Sequence, residues 1–337
     1  MNMTYEDELL SPDVSWDLIT QKKLIPPRLY KYQSFFDIHG FENPYWSANI
    51  KGQFHMSLGC EFEDINDCKP FFNKGFIFDY IKKFFINFNT DAETVNKILT
   101  DINNMITEKY LVQVMNNYQK NIRIGCFTDT PCNNEMWDKY AFQKSGYCIE
   151  YDTSKNSLFS LSTLPILYSD KPYDSSLTLV NSLIIECIKN AKQYSMEEIL
   201  SRFDSIYKKI LKTTYIPIFI KNKKVWQFEH EYRMFLLENR NTRDGSLKAK
   251  DYLDNNYNID LSKAISAVYL GENFNKNKGH DALLDNIIMI CHEKGINLFR
   301  KEIKNGNEID TKIDTMKEYK KNPVNNEYSC ATEPPCN

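Results

Sequence analysis

The chain has 337 residues, of which 42% are hydrophobic and 26% charged, and its 42 basic and 45 acidic residues give a formal net charge of −3. This composition is typical of a folded globular protein and excludes wholesale disorder or a collagen-like repeat. No apolar run approaches the ~18 residues that a membrane-spanning helix needs, so we expect no membrane partner. Binding through many phosphate contacts requires a basic surface, so the charge balance argues against general nucleic-acid binding.

The first half of the chain predicts two extended regions followed by helices. Residues 29–33 are β-prone and follow two prolines, which predicts a strand. A second extended region is predicted at 52–58, and an acidic loop follows it at 59–67. Apolar residues then recur at helical spacing, which predicts helices at 76–88 and 93–118.

The second half predicts alternating strands and helices. Strands at 123–127 and 147–151 are expected around a short helix at 135–142, and amphipathic helices are expected at 177–192 and 196–212. The last predicted elements are strands at 231–237 and 264–270, a helix at 280–293 and a strand at 297–303.

Strands near both ends with helices between them predict a single α+β domain built on a mixed sheet. This domain is expected to cover residues 1–304, with helical insertions at about 76–118 and 175–212. The polar segment 305–337 is predicted to be a disordered tail.

The cysteines predict a reducing environment. Nine are present, and the acidic N-terminus lacks the features of a secretory signal, so we expect free thiols and a cytoplasmic location. No Cys-x-x-Cys pair occurs, so no zinc or other metal site is predicted. Cys148, flanked by Tyr147 and Ile149, is expected to be a small buried core residue.

Four segments carry a family resemblance. They are 29–34 (LYKYQS), 62–67 (FEDIND), 136–151 with its MWDKYA and GYCIEY motifs, and 224–233 (KVWQFEHEYR), and VYLG at 268–271 extends the match. Together these segments resemble a bacterial family known only as domain-of-unknown-function family 2971. The second segment is a diverged version of the family's Phe-Asn-Asp-Pro motif.

A weaker resemblance is to ADP-ribosyltransferase folds. Those folds begin with a strand that carries His or Arg and end with a strand-associated Glu, sometimes as Glu-x-Glu. Lys31 stands at the first position, and Glu229-His230-Glu231 matches the second. The resemblance implies an ADP-ribosyltransferase-like fold with NAD as the substrate. Glu231 would then stabilise the oxocarbenium-like transition state, and Glu229 would orient or deprotonate the acceptor.

The resemblance also implies a set of NAD-binding side chains. The predicted set is Lys31, Tyr32, Trp137, Tyr140, Trp226 and Arg233. Each feature also has a structural interpretation. The two glutamates could be ion-pair partners of Arg233 or Lys224, and Trp137 with Tyr140 could be a packed aromatic pair.

Three classes of function stay open at this point. The first is an enzyme that transfers ADP-ribose from NAD to a macromolecule or hydrolyses NAD, which the resemblance places in phage defence or among toxins. The second is a non-catalytic sensor that binds a nucleotide or a protein partner or inhibitor. The third is a metal-dependent nuclease, which would use the carboxylates between residues 61 and 67.

Overall fold

The computed structural model of the chain describes residues 4–11, 25–37, 39–64, 66–87, 91–190, 214–238, 248–276, 280–304 and 307–321. The helices are α1 (Tyr5–Leu10), α2 (Trp46–Ile50), α3 (Lys74–Asn87), α4 (Ala92–Met105), α5 (Glu108–Lys120), α6 (Asn134–Tyr140), α7 (Ser157–Ser162), α8 (Ser176–Asn190), α9 (Lys223–Trp226), α10 (His280–Lys294) and α11 (Thr315–Lys321). The strands are β1 (Arg28–Gln33), β2 (Gln53–His55), β3 (Ser57–Leu58), β4 (Ile122–Thr128), β5 (Tyr147–Asp152), β6 (Thr163–Pro165), β7 (Leu167–Ser169), β8 (Ile220–Asn222), β9 (Glu231–Leu237), β10 (Asn258–Asp260), β11 (Ile265–Leu270), β12 (Asn297–Lys304) and β13 (Asn307–Ile313).

Contacts within the chain divide it into two compact units, each assembled from three stretches of sequence. Unit one comprises Met1–Ile25, Met56–Cys126 and Leu158–Tyr257, and unit two comprises Pro26–His55, Phe127–Ser157 and Asn258–Asn337. The single domain expected over residues 1–304 stays a prediction.

Unit two is built on a mixed sheet. Its strands follow the order β13, β12, β11, β5 and β1, and every neighbouring pair is antiparallel except β11 and β12. Helix α10 lies between these two parallel strands in sequence, as a parallel connection requires. The α+β class with a mixed sheet, predicted from the sequence, is confirmed.

The core of unit two contains the motif around residues 146–151. Tyr147, Cys148 and Ile149 are fully buried in strand β5, which confirms the prediction for Cys148. Gly146 precedes this strand where the chain passes close to β1. A Cβ atom at Gly146 would lie 2.2 Å from the carbonyl oxygen of Gln33, so only glycine fits.

Unit one combines short strand pairs with a group of helices. Strand β6 pairs with β9 in antiparallel register, with Leu164 opposite Arg233. Strands β7 and β8 form a separate parallel pair, with Tyr168 opposite Lys221. Helices α3, α4, α5 and α8 contribute to one hydrophobic cluster, in which Ile77 is fully buried.

Two predicted elements differ from the structure. The helix expected over 93–118 is two helices, α4 and α5, because the chain leaves helical geometry at Ile106 and Thr107 caps the second helix by accepting from the Tyr110 amide. The prediction that the chain is disordered from residue 305 onward is also wrong for residues 307–321. Strand β13 there pairs along its whole length with β12.

The helix predicted at 196–212 lies outside the described residues. Within the ranges that the structure covers, no helix is long and apolar enough to cross a membrane.

Candidate functional site

The two glutamates of the Glu-x-Glu motif converge because the chain turns sharply between them. Glu229 ends a short 3₁₀ turn, and His230 adopts the left-handed conformation with φ of 46°. Glu231 then begins strand β9. On a continuous strand the two carboxylates would only share a face. The turn instead directs both of them to Lys221, on strand β8.

Arg233 is the centre of a buried ion cluster, which we define as Asp67, Lys221, Glu229, Glu231 and Arg233. Its side chain is fully buried. The guanidinium donates to Asp67 through both terminal nitrogens, at 2.8 and 2.6 Å, and through Nε to Glu231 Oε1 at 2.7 Å. It also donates to the Ile218 carbonyl oxygen at 2.6 Å. Such a bidentate arginine fixes the geometry of both carboxylates.

Lys221 is the second cation of the ion cluster. Its ammonium lies 2.5 Å from Glu229 Oε2, 2.8 Å from Glu231 Oε2 and 3.7 Å from Asp67 Oδ2. The indole ring of Trp226 lies beside it, with the ring centroid 4.7 Å from Nζ. The tip of this one side chain therefore contacts all three acids of the cluster.

The two cations of the ion cluster make Glu231 strongly acidic. Burial opposes ionisation of its carboxyl, but the adjacent Arg233 guanidinium and Lys221 ammonium outweigh burial and hold the pKa well below the usual range. Burial likewise opposes the charge on Lys221, and the carboxylates, Glu231 first, hold the lysine pKa above its ordinary value. Glu231, Lys221 and Arg233 are therefore ionised near neutral pH.

Neighbouring hydrogen bonds hold the rim of the ion cluster. The backbone amide of Glu231 donates to the Tyr168 hydroxyl at 2.8 Å. The Trp226 indole N–H donates to Asp64 Oδ2 at 2.9 Å. These two bonds join Glu231 to Tyr168 and Trp226 to Asp64, so each connects residues of unit one that are distant in sequence.

A cavity of about 500 Å³ lies against the ion cluster, and Asp67 and Lys221 form part of its wall. Its wall also carries two further lysines (Lys69 and Lys171), three further acids (Asp64, Glu108 and Asp170) and the aromatic residues Phe71, Phe72 and Tyr173. Burial first, and Asp174 second, raise the pKa of Tyr173 to about 12, so its phenol is neutral at physiological pH.

Four of the predicted site residues meet in unit one. Glu229, Glu231, Trp226 and Arg233 all belong to the ion cluster or contact it. Lys221 pairs with both glutamates and Arg233 pairs with Glu231, whereas Lys224 has an exposed side chain and its backbone amide donates to the Asn222 side chain. The structural interpretation had named the wrong lysine.

The other four predicted residues lie in unit two. Lys31 is half-buried, with its ammonium 5.7 Å from the Phe54 ring centroid. Tyr32 donates to the Thr130 carbonyl at 2.9 Å and packs edge-on against Trp137 at 5.0 Å.

Trp137 is a core residue. It is 1% exposed, and its indole N–H donates to the Pro131 carbonyl at 2.8 Å. Tyr140 is half-buried with the Lys139 ammonium 5.1 Å from its ring centroid. Trp137 therefore packs against Tyr32, whereas the sequence predicted Tyr140 as its aromatic partner.

Sequence reasoning missed two members of the ion cluster. Asp67 was assigned to an exposed acidic loop, yet it is 5% exposed and bound to Arg233. Lys221 carried no signal, because one lysine among many becomes distinctive only when strand β8 is formed.

The acidic segment does not form a metal site in the described part of the chain. Glu61 accepts the Leu58 amide, Asp64 accepts from Trp226, and Asp67 is held by Arg233. Among the described residues, no group of three or more His, Cys, Asp or Glu side chains is placed to hold a metal ion.

Residues 136–234 match the model of a family described as a protein of unknown function, DUF2971. The match confirms the family resemblance for the motifs at 136–151 and 224–233, and its range includes Glu229, Glu231 and Arg233. Comparisons with curated proteins and with solved structures found no match.

Proposed function

We propose that unit one is a nucleotide-binding module, and that the cavity against the ion cluster is its binding site. The observation that carries this proposal is the combination of side chains in the cavity wall. A volume of about 500 Å³ falls within the range of small-molecule sites. Lysines, aromatic rings and amide groups are the side chains that recognise phosphates, bases and ribose hydroxyls.

The individual side chains support each part of a nucleotide. Lys69 and Lys171 have no ion-pair partner within the described ranges, so both are available to phosphate oxygens. Phe71 is 48% exposed and offers a ring face to a base. The side chains of Asn66 and Asn222 add hydrogen-bonding groups to the same wall. NAD is the nucleotide that the ADP-ribosyltransferase resemblance favours, and it is the first ligand to test.

The burial and hydrogen bonding of the two glutamates favour a non-catalytic sensor. Glu231 is 4% exposed, and its carboxylate oxygens accept from Arg233 and Lys221. A carboxylate that must hydrogen-bond a ribose hydroxyl needs an open oxygen. With these bonds intact, the ion cluster acts as the rigid base of the binding site.

A second candidate is catalysis on NAD with an ADP-ribosyltransferase-like fold, and the position of Lys221 favours it. This side chain both lines the cavity and holds Glu229 and Glu231. If Lys221 moves, an ionised Glu231 becomes accessible from the cavity. It would stabilise the positive charge on ribose while the bond to nicotinamide breaks and its electrons pass to nicotinamide.

In this candidate, water or a macromolecular acceptor takes the ADP-ribose, and Glu229 orients the acceptor. Cytoplasmic defence against phage, or action as a toxin restrained by a protein inhibitor, is the setting that the resemblance implies.

Calorimetric titration of the full chain with NAD tests binding. We expect saturable one-to-one binding that Lys171→Glu weakens at least about tenfold, since one phosphate contact is replaced by repulsion. Lys83→Glu is the matched control, because Lys83 is exposed on helix α3 and does not line the cavity. Absence of binding, or equal loss in both variants, would reject the site.

Measuring the release of nicotinamide from NAD by chromatography distinguishes the two candidates. The sensor predicts NAD binding without turnover. The enzyme predicts turnover that Glu231→Gln lowers by about 10²–10³ through loss of one transition-state contact. Binding of NAD must persist in that variant for the loss to be assigned to chemistry.

A further inference from the structure

Unit one contains a second cavity, of about 330 Å³, against helix α5 and the start of helix α8. We call it the neutral cavity and define it by the side chains used below: Tyr110, Asn117, Tyr118, Ser175 and Tyr215. It is a different space from the nucleotide site, although Pro70 and Phe72 contribute to both walls. Its volume is within the range of small-molecule sites.

The described residues in the wall of the neutral cavity carry no formal charge. None of the described residues that line it is a lysine, arginine, histidine, aspartate or glutamate. A charged ligand would leave water there without gaining a counter-charge, which is costly in an apolar site. The rings of Tyr110, Tyr118 and Tyr215 instead offer aromatic surface. This lining selects an uncharged ring compound over a charged nucleotide.

Two hydroxyls in the wall, those of Ser175 and Tyr118, are buried without a hydrogen-bond partner among the described residues. Ser175 is 4% exposed, and its Oγ has no hydrogen-bond partner among the described residues. The residue precedes helix α8, a position where serine usually accepts from the amides of the first turn. A buried hydroxyl left unpaired costs free energy, and native structures pair nearly all such groups. A ligand with one hydrogen-bonding group would satisfy it.

We propose that the neutral cavity binds an uncharged, largely aromatic small molecule, and that the Ser175 hydroxyl hydrogen-bonds the polar group of this ligand. The site does not depend on the nucleotide-binding proposal, because the two cavities differ in charge and in most of their walls.

Fluorescence titration of the full chain with N-phenyl-1-naphthylamine tests the site. This dye is uncharged and carries one N–H group, and we expect one saturable site. The sulfonate dye 1-anilinonaphthalene-8-sulfonate has the same rings with an added charge, and it should bind at least about tenfold more weakly. Failure of the neutral dye to bind, or equal affinity of the two dyes, would overturn the proposal.

Two tryptophan variants of helix α5 locate the bound dye. Asn116 and Asn117 are both exposed, but only Asn117 lines the neutral cavity. Asn117→Trp should fill the cavity and weaken dye binding at least about tenfold, whereas Asn116→Trp should change it less than about twofold. Equal effects in the two variants would place the dye elsewhere and contradict the assignment.

Ser175→Ala tests the hydroxyl through two opposite changes. Removing an unpaired buried hydroxyl should raise the melting temperature of the ligand-free protein, while loss of one hydrogen bond should weaken dye binding by about two- to tenfold. A lower melting temperature with unchanged dye affinity would show that the hydroxyl is structural and would overturn its assigned role.

Discussion

Replacing Lys221 by methionine tests whether the ion cluster stabilises unit one. The wild-type cluster has two cations and three carboxylates, so the variant leaves one guanidinium facing three carboxylates. Glu229 and Glu231 each lose an ammonium, at 2.5 and 2.8 Å. Removing one partner from a buried ion pair costs about 3–5 kcal/mol, because the remaining charge has no compensation.

Thermal and urea unfolding of the full chain measure this cost. At about 2–4 °C per kcal/mol for a unit of this size, the melting temperature should fall by roughly 6–20 °C. Lys224→Met is the matched control, since Lys224 is exposed and three positions away. We expect the control to change stability by less than about 0.5 kcal/mol.

The difference in unfolding free energy between the wild type and Lys221→Met should also depend on pH. In the wild type the pKa of Glu231 lies below its ordinary value, so its stabilising contribution is complete above about pH 4.3 and is lost as the pH falls through the folded-state pKa. In the variant, the excess negative charge should raise carboxyl pKa values, so protonation relieves the repulsion. The stability difference should therefore be largest near pH 7 and should shrink towards pH 4.

A double variant tests whether the loss of stability in Lys221→Met is electrostatic. Lys221→Met combined with Glu229→Gln removes one of the uncompensated carboxylates, and it should recover a large part of the lost stability. The reasoning would be refuted by small and equal effects of the two lysine variants, or by a Lys221→Met defect that does not change between pH 7 and pH 4.

Three further results are expected. Trp137→Ala should lower the free energy of unfolding by about 3–5 kcal/mol, as measured by urea titration, because the ring is 1% exposed in a packed core. Gly146→Ala should lower it by about 1–3 kcal/mol or prevent folding, since its Cβ would lie 2.2 Å from a carbonyl oxygen. Iodoacetamide at pH 8, followed by mass spectrometry, should label the exposed Cys60 and Cys132 before any buried cysteine. The cysteines that should react only after unfolding are Cys68, Cys148 and Cys291, whose burial raises the thiol pKa.

The sequence by itself determined most of the regular elements, because their signals are local. The strand predicted at 231–237 is β9 to the residue, and those at 147–151 and 297–303 are each extended by one residue in β5 and β12. Alternating burial in a strand and helical spacing of apolar residues are both encoded within a few positions. The same local pattern identified Cys148 as a core residue.

The tertiary structure decided which charged residues act together. Asp67 and Arg233 are 166 positions apart and form a buried bidentate pair. Nothing in their local sequence indicates this contact, because it depends on how distant segments of unit one pack. The polar strand β13 was missed for a similar reason, since its backbone pairs with β12 without an apolar pattern of its own.

The choice of Lys221 over Lys224 shows this limit most clearly. Residues 220–222 form a short parallel strand against β7, so Lys221 is held beside the glutamates. Lys224 follows in helix α9, and its side chain is exposed. Both are lysines close to the motif in sequence, so composition and spacing do not distinguish them. Only the pairing of β8 with β7 brings one ammonium, and not the other, to within hydrogen-bond distance of Glu229 and Glu231.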